Sequence, residues 1–197
     1  MIALAAGCGG RAQLEISPLR FDALDPPKPF ATRVALEDCT WRERPDGQVE
    51  IAMQKTRRLW FGPADEVRFE LSLRLEKLPA GKARFYKVDQ GTLRAVVRMG
   101  PLQGRFVSTT GIVMAHRPAG GRLRGSLRLL ATRELAQLLG GYGAPARYLF
   151  QGAFDAVRDE QRTAAIVGST ESNGFEREAA RDRPPRSVQT DDLSRRN

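Results

Sequence analysis

Val67-Arg68-Phe69-Glu70-Leu71-Ser72-Leu73-Arg74-Leu75 alternates without a break: every odd residue is apolar, and the even positions from Glu66 to Glu76 read Glu, Arg, Glu, Ser, Arg, Glu. Successive side chains of an extended chain point to opposite faces, so this period of two marks a strand with one face in a core and one in water. A helix would scatter the same leucines around its circumference. Shorter runs of the same kind surround it: Gln13 to Ile16, Val49-Ile51-Met53, Leu93-Ala95-Val97-Met99, Leu123-Gly125-Leu127-Leu129 and Tyr148-Phe150-Gly152-Phe154-Ala156. Pro63, Pro79-Ala80-Gly81, Gln90-Gly91, Gly100-Pro101, Pro118-Ala119-Gly120-Gly121 and the Gly140 to Pro145 stretch separate them. Roughly eight or nine strands at this spacing, joined by short turns, predict an all-β fold, an antiparallel meander closed as a sandwich or a barrel. One short helix is expected, capped by Thr132, running from Arg133 through Leu139 and stopped by Gly140.

Composition sets the outer limits. The chain has 197 residues, 41% of them apolar, with two cysteines, one histidine and a formal charge of +9. That length suits one domain, and no apolar run approaches the roughly 20 residues of a membrane-spanning helix. Two cysteines cannot build a disulfide framework, and a lone His116 removes two-histidine metal centres and most zinc enzymes. Ser17 to Phe30 contains Pro18, Pro26, Pro27 and Pro29. Proline fixes φ and removes backbone donors, so residues 9–30 are expected to be a tether and 31–175 the single β domain. Residues 176–197 hold only Val188 and Leu193 as large aliphatic side chains and are expected to be a disordered charged tail.

The positive charge is concentrated. Residues 82–133 contain eleven basic side chains, nine of them Arg, against the single acid Asp89, so this segment alone is net +10. Guanidinium groups suit phosphate and carboxylate oxygens. With Leu123, Leu127 and Leu129 inward, the pleat turns Arg122, Arg124 and Arg128 outward; with Leu93, Ala95 and Val97 inward, Arg94 and Arg98 face out. Arg84 before Phe85 and Arg105 before Phe106 follow the same pattern. These seven arginines are the candidate anion-binding residues, gathered on one face if their strands are neighbours. The alternative is internal pairing, with Glu66, Glu70, Glu76, Asp155, Asp159 and Glu160 as the available acids. Nucleic acid is an unlikely partner: only Phe85, Tyr86 and Phe106 are available for stacking, with no recognisable nucleic-acid motif.

At the start, Met1-Ile2-Ala3-Leu4-Ala5-Ala6-Gly7-Cys8 leads into Gly9-Gly10. The segment resembles the lipobox of bacterial lipoproteins, in which small residues precede the cysteine that receives the lipid. It departs from that pattern in having no basic start, a short apolar stretch and Leu4 one place early. The resemblance covers eight residues and implies lipid attachment at Cys8, a membrane as partner, and residence in the bacterial cell envelope facing the periplasm or the exterior; a cytoplasmic protein is the alternative. Cys39, flanked by Asp38, is expected to be a buried structural thiol, although a bridge to Cys8 is also possible.

No catalytic residue, cofactor or metal site is expected. His116 lies at a turn edge without an orienting partner, and pairs such as Asp155 with Asp159 or Glu37 with Asp38 arise by chance in a chain with 23 acidic residues. The leading expectation is a non-enzymatic, lipid-anchored domain presenting arginines to an anionic partner: an envelope polymer, lipid head groups or an acidic protein. The alternatives are a small barrel enclosing an apolar ligand against Phe69, Leu71, Leu127 and Phe150, and a carboxylate-based enzyme. Trp41, Trp60 and Phe61 are expected in the core or lining an apolar pocket.

Overall fold

In the computed structural model, which describes residues 10–19, 31–57, 67–98, 104–134 and 147–172, the alternating runs become strands. They are β1 (Gly10–Leu19), β2 (Thr32–Glu43), β3 (Val49–Arg57), β4 (Val67–Leu75), β5 (Ala83–Val88), β6 (Leu93–Arg98), β7 (Gly104–His116), β8 (Arg122–Glu134) and β9 (Arg147–Arg158), followed by helix α1 (Glu160–Glu171). From β1 to β4 each strand pairs antiparallel with the next; β4 then pairs with β6, β6 with β7, β7 with β8, β8 with β9, and β9 with β1. The result is a closed eight-stranded antiparallel barrel with β5 as an additional strand.

β5 and β6 are one stave broken in two. Both lie along the same side of β7, β5 against Gly111–His116 and β6 against Gly104–Val107. The break is a turn in which Gly91 takes φ 81°. Ser108 stitches it: its hydroxyl donates to Asp89 O at 2.8 Å and accepts from Leu93 N at 3.0 Å. β7 bulges here, between Ser108 and Thr110, and Gly111 follows at φ 150°. A Cβ at Gly111 would sit 2.5 Å from Leu129 Cα, so only glycine lets β7 approach β8 this closely.

The odd residues of β4 point into the barrel, where Phe69, Leu71 and Leu73 are fully buried. They share one cluster with Ile16, Leu36, Met53, Leu123, Leu129 and Phe150. Phe106 packs edge-on to Tyr148 and Phe150, with ring centroids 5.0 and 5.6 Å away. An apolar interior and a charged exterior are the reverse of the sidedness of a membrane-spanning barrel. Among the described residues no helix is long and apolar enough to cross a membrane.

Three expectations change. Thr132, Arg133 and Glu134 are the end of β8, not a helix start, and residues 135–139 lie outside the described residues. The helix is α1 instead, capped by Asp159, whose carboxylate accepts from Arg162 N at 2.9 Å. It packs on the outer faces of β2, β3, β4 and β6. Its buried face is Thr163, Ile166, Val167 and Thr170, too polar to show a helical stripe. The outer face of β4 is therefore covered: Glu70 is 3% exposed and Ser72 4%. Ser169 donates to Glu70 at 2.7 Å and Thr170 to Ser72 at 2.8 Å. Finally, the strand expected at Gln13 to Ile16 is present but longer than expected: Gly10–Leu19, Pro18 included, runs as a stave between β2 and β9 inside the stretch assigned to a tether. The prolines at 26, 27 and 29 and the tail at 176–197 lie outside the described residues.

Candidate functional site

Alternation places most of the candidate arginines outward as predicted, but not on one patch. On β8, Arg122, Arg124 and Arg128 face out while Leu123, Leu127 and Leu129 are buried; on β6, Arg94 and Arg98 alternate with buried Leu93, Ala95 and Val97. Arg94 is level with Val107 and Thr132, whereas Arg128 is level with Ile112. Four residues of β8, about 13 Å at 3.3 Å per residue, separate those rows.

The first group lies near the C-terminal end of α1. Arg105 is 3.6 Å from Glu134 and donates to Thr170 O at 3.5 Å. Arg98 stands opposite Arg68, which contacts Glu70 at 2.9 Å. Arg94 Nε is buried without a hydrogen-bond partner among the described residues. Arg84 belongs to neither group. The phase of β5 is opposite to the predicted one: Tyr86 and Val88 are buried, Phe85 is 70% exposed, and Arg84 shares the inward side. There it lies 5.1 Å from the Tyr86 ring centre and 3.3 Å from Glu76. β5 pairs only with β7 among the described strands, and its register there sets Tyr86 opposite buried Val113 and Phe85 opposite partly exposed Met114.

The second group forms a cationic rim. Arg122 and Arg124 both hold Asp155, at 2.8 and 3.1 Å. Hydrogen bonding from Arg122 keeps the Asp155 carboxyl below its ordinary range against the opposing effect of burial, and the charges of Arg122 and Arg124 add to the lowering. Arg11 of β1 is level with Asp155 on the other side, and exposed His116 ends β7 and Arg117 follows it, both lining a hollow with Arg124. A hollow of about 400 Å³ is lined by His116, Arg117, Ala119, Arg122 and Arg124. Two guanidinium groups therefore hold one carboxylate, with Arg11 level with it in register and Arg117 lining the same hollow as the two arginines. β1 begins at Gly10, next to this rim, and Gly10 is pressed between β2 and β9: a Cβ there would be 2.0 Å from Cys39 O. Beyond it β2 and β9 pair directly, through Thr40 with Val157 and Trp41 with Arg158.

No family model, curated protein or solved structure matches the chain.

The other candidates fall as follows. Cys39 is buried and free, its thiol pushed up by burial and then by the charges of Asp38 and Asp155. Cys8, Trp60 and Phe61 lie outside the described residues. Trp41 donates to Gly121 O at 3.1 Å, stacks with Arg158, and borders a hollow of about 420 Å³ with Leu78, Pro79 and Pro118. Phe69, Leu71, Leu127 and Phe150 are buried together in the core, and none of them lines this hollow or that of the rim. Asp159 is spent on the cap of α1, and Asp38 is 2.5 Å from Arg162. Burial raises the Asp38 carboxyl above its ordinary value, with Arg162 opposing. Among the described residues no cluster of three His, Cys, Asp or Glu is placed to hold a metal.

A second concentration of arginines was not read from the sequence. Glu50, 1% exposed, is held by Arg42 at 2.5 Å, Arg74 at 3.3 Å and Arg44 at 3.5 Å beneath α1. With Glu43, Arg158, Glu160 and Glu171 nearby, acids and bases balance in this groove, which makes it a structural ion network. Arg11 and Arg117 were the residues missed at the rim. Their signal was pairing across strands, which needs the register of β1, β9 and β8.

Proposed function

We propose that this chain is a non-enzymatic barrel of the bacterial envelope, anchored through a lipid on Cys8 and seated with its cationic rim against anionic head groups. The observation that supports it most is the position of β1. Gly10 is already in the sheet, so Cys8 is two residues from the barrel, within about 7 Å of extended chain. A lipid there brings Arg11, Arg117, Arg122 and Arg124 to the membrane surface without a spacer. Anchoring by one lipid signal gains strength from such a basic patch, since stable residence usually takes two signals. The involvement of Asp155, Asp159, Asp38 and Glu50 in ion pairs or caps supports a binding role in place of carboxylate chemistry.

The test is mass analysis of the protein purified from membranes of a bacterium carrying the gene with its native upstream region. The expected result is acyl mass on the peptide that contains Cys8, and transfer of the protein to the soluble fraction on Cys8→Ser. An unmodified peptide from a soluble wild-type protein would overturn the reading.

A further inference from the structure

On the outer surface of β5, β7 and β8, next to the rim, the described residues show two exposed large apolar side chains, and they are neighbours. Phe85 is 70% exposed and Ile112 54%. Phe85 stands opposite Met114, and Lys87 opposite Ile112, so Phe85 and Ile112 are diagonal neighbours across one strand pair with partly exposed Met114 completing the patch. Single exposed apolar residues need no explanation, whereas an aromatic, a branched aliphatic and a methionine side by side on two paired strands, with no cover among the described residues, call for one.

The described charges on the strands around the patch are mostly cationic. Ile112 is flanked by Lys87 on β5 and Arg128 on β8. The Lys87 side chain is 83% exposed, and Arg128 makes no ion pair with a described residue. Toward the rim follow Lys82, His116, Arg117 and Arg124, all exposed. Among the described residues, Asp89 lies 4.0 Å from Lys87, Glu76 is paired with Arg84, and Asp155 is already shared by two arginines. Against a second copy of this chain these cations would face their own images, and lysine beside an open strand edge discourages edge pairing. Apolar tips ringed by Lys and Arg instead match a surface of anionic lipid, where the rings and methyls enter the acyl boundary and the cations remain among phosphates.

We propose that Phe85, Met114 and Ile112 insert into an anionic bilayer, with Lys87, Arg128 and the rim arginines on the surrounding phosphates. This fixes the barrel's orientation with β5 and β7 toward the membrane, and it rests on the proposed membrane residence without needing the lipid on Cys8.

The experiment uses the full chain carrying Cys8→Ser, sedimented with vesicles of phosphatidylcholine alone or mixed with phosphatidylglycerol. Binding is expected to be confined to the mixed vesicles, and to fall about tenfold or more in Phe85→Ser/Ile112→Ser. Lys87→Glu/Arg128→Glu should abolish the preference for anionic lipid, while Arg44→Ser, in the groove under α1, should bind like the parent. Because Phe85 is exposed, Phe85→Trp reports directly: its emission should move to the blue and be quenched by bromine-labelled acyl chains. Equal binding by the apolar double variant, an unchanged tryptophan spectrum, or a dimer that the same double variant dissolves would each overturn the proposal. Vesicle binding without acylated Cys8 in cells would sink the anchor alone; acylated Cys8 without vesicle binding would sink this docking face alone.

Discussion

Glycine at 111 and aspartate at 155 show how much a single position can decide in this barrel. A side chain at Gly111 would meet the Leu129 backbone at 2.5 Å, and its φ of 150° is one that L residues rarely adopt. Gly111→Ala is therefore expected to destabilise the fold by about 2 kcal/mol or more, read as a lower urea midpoint with unchanged slope. Asp155 binds fewer protons folded than unfolded, so its contribution is present above the ordinary carboxylate value of 3.8 and is lost as pH falls through the lower folded value. Asp155→Asn should cost about 0.5–1 kcal/mol at neutral pH. In urea titrations the gap between the two proteins should narrow as pH drops below 3.8, and a gap that widens there would contradict the assignment. The exposed phase of β5 is also a residue-scale fact. Phe85 was legible as a strand residue but not as an outward one, because Arg-Phe-Tyr-Lys-Val places an aromatic on both faces.

At the scale of elements, the strands were legible wherever alternation ran uninterrupted, as in β4, β6 and β8, and the inward sets there are those the period of two selects. The parts that could not be read have physical reasons. α1 buries threonines as well as Ile166 and Val167, and it meets a sheet face bearing Thr40, Glu70 and Ser72, so neither partner displays an apolar stripe. Of β1 only Gln13 to Ile16 was legible; its extension through Pro18 to Leu19 depends on pairing with β9, a distant segment. The arginines were visible as a charge excess, yet their division into two groups depends on register along β7 and β8. Two expectations follow. A chain beginning at residue 31 lacks β1 and should show no cooperative unfolding transition, whereas residues 10–172 should unfold in one step. Glu50→Ala leaves Arg42, Arg44 and Arg74 crowded without their common anion, and should lower stability by about 1–3 kcal/mol, measured by thermal or chemical denaturation.

For the whole molecule, the described interior is apolar and the exterior charged, and the surface is asymmetric. The groove under α1 is balanced in charge, while the side with β5, β7 and the rim combines cations with exposed Phe85 and Ile112. Binding to anionic vesicles should weaken steeply as salt rises from low to physiological concentration, because screening acts over about 8 Å at physiological ionic strength. The closure of the barrel has a consequence in time. β1 pairs with β2, which follows it closely, but its other edge is satisfied only by Arg147–Asp155 of β9. During synthesis the first stave therefore waits, half-paired, until almost all of the described chain has been made. The barrel can close only once β9 has been made, so until then the nascent chain stays open to any factor that handles unfolded polypeptides.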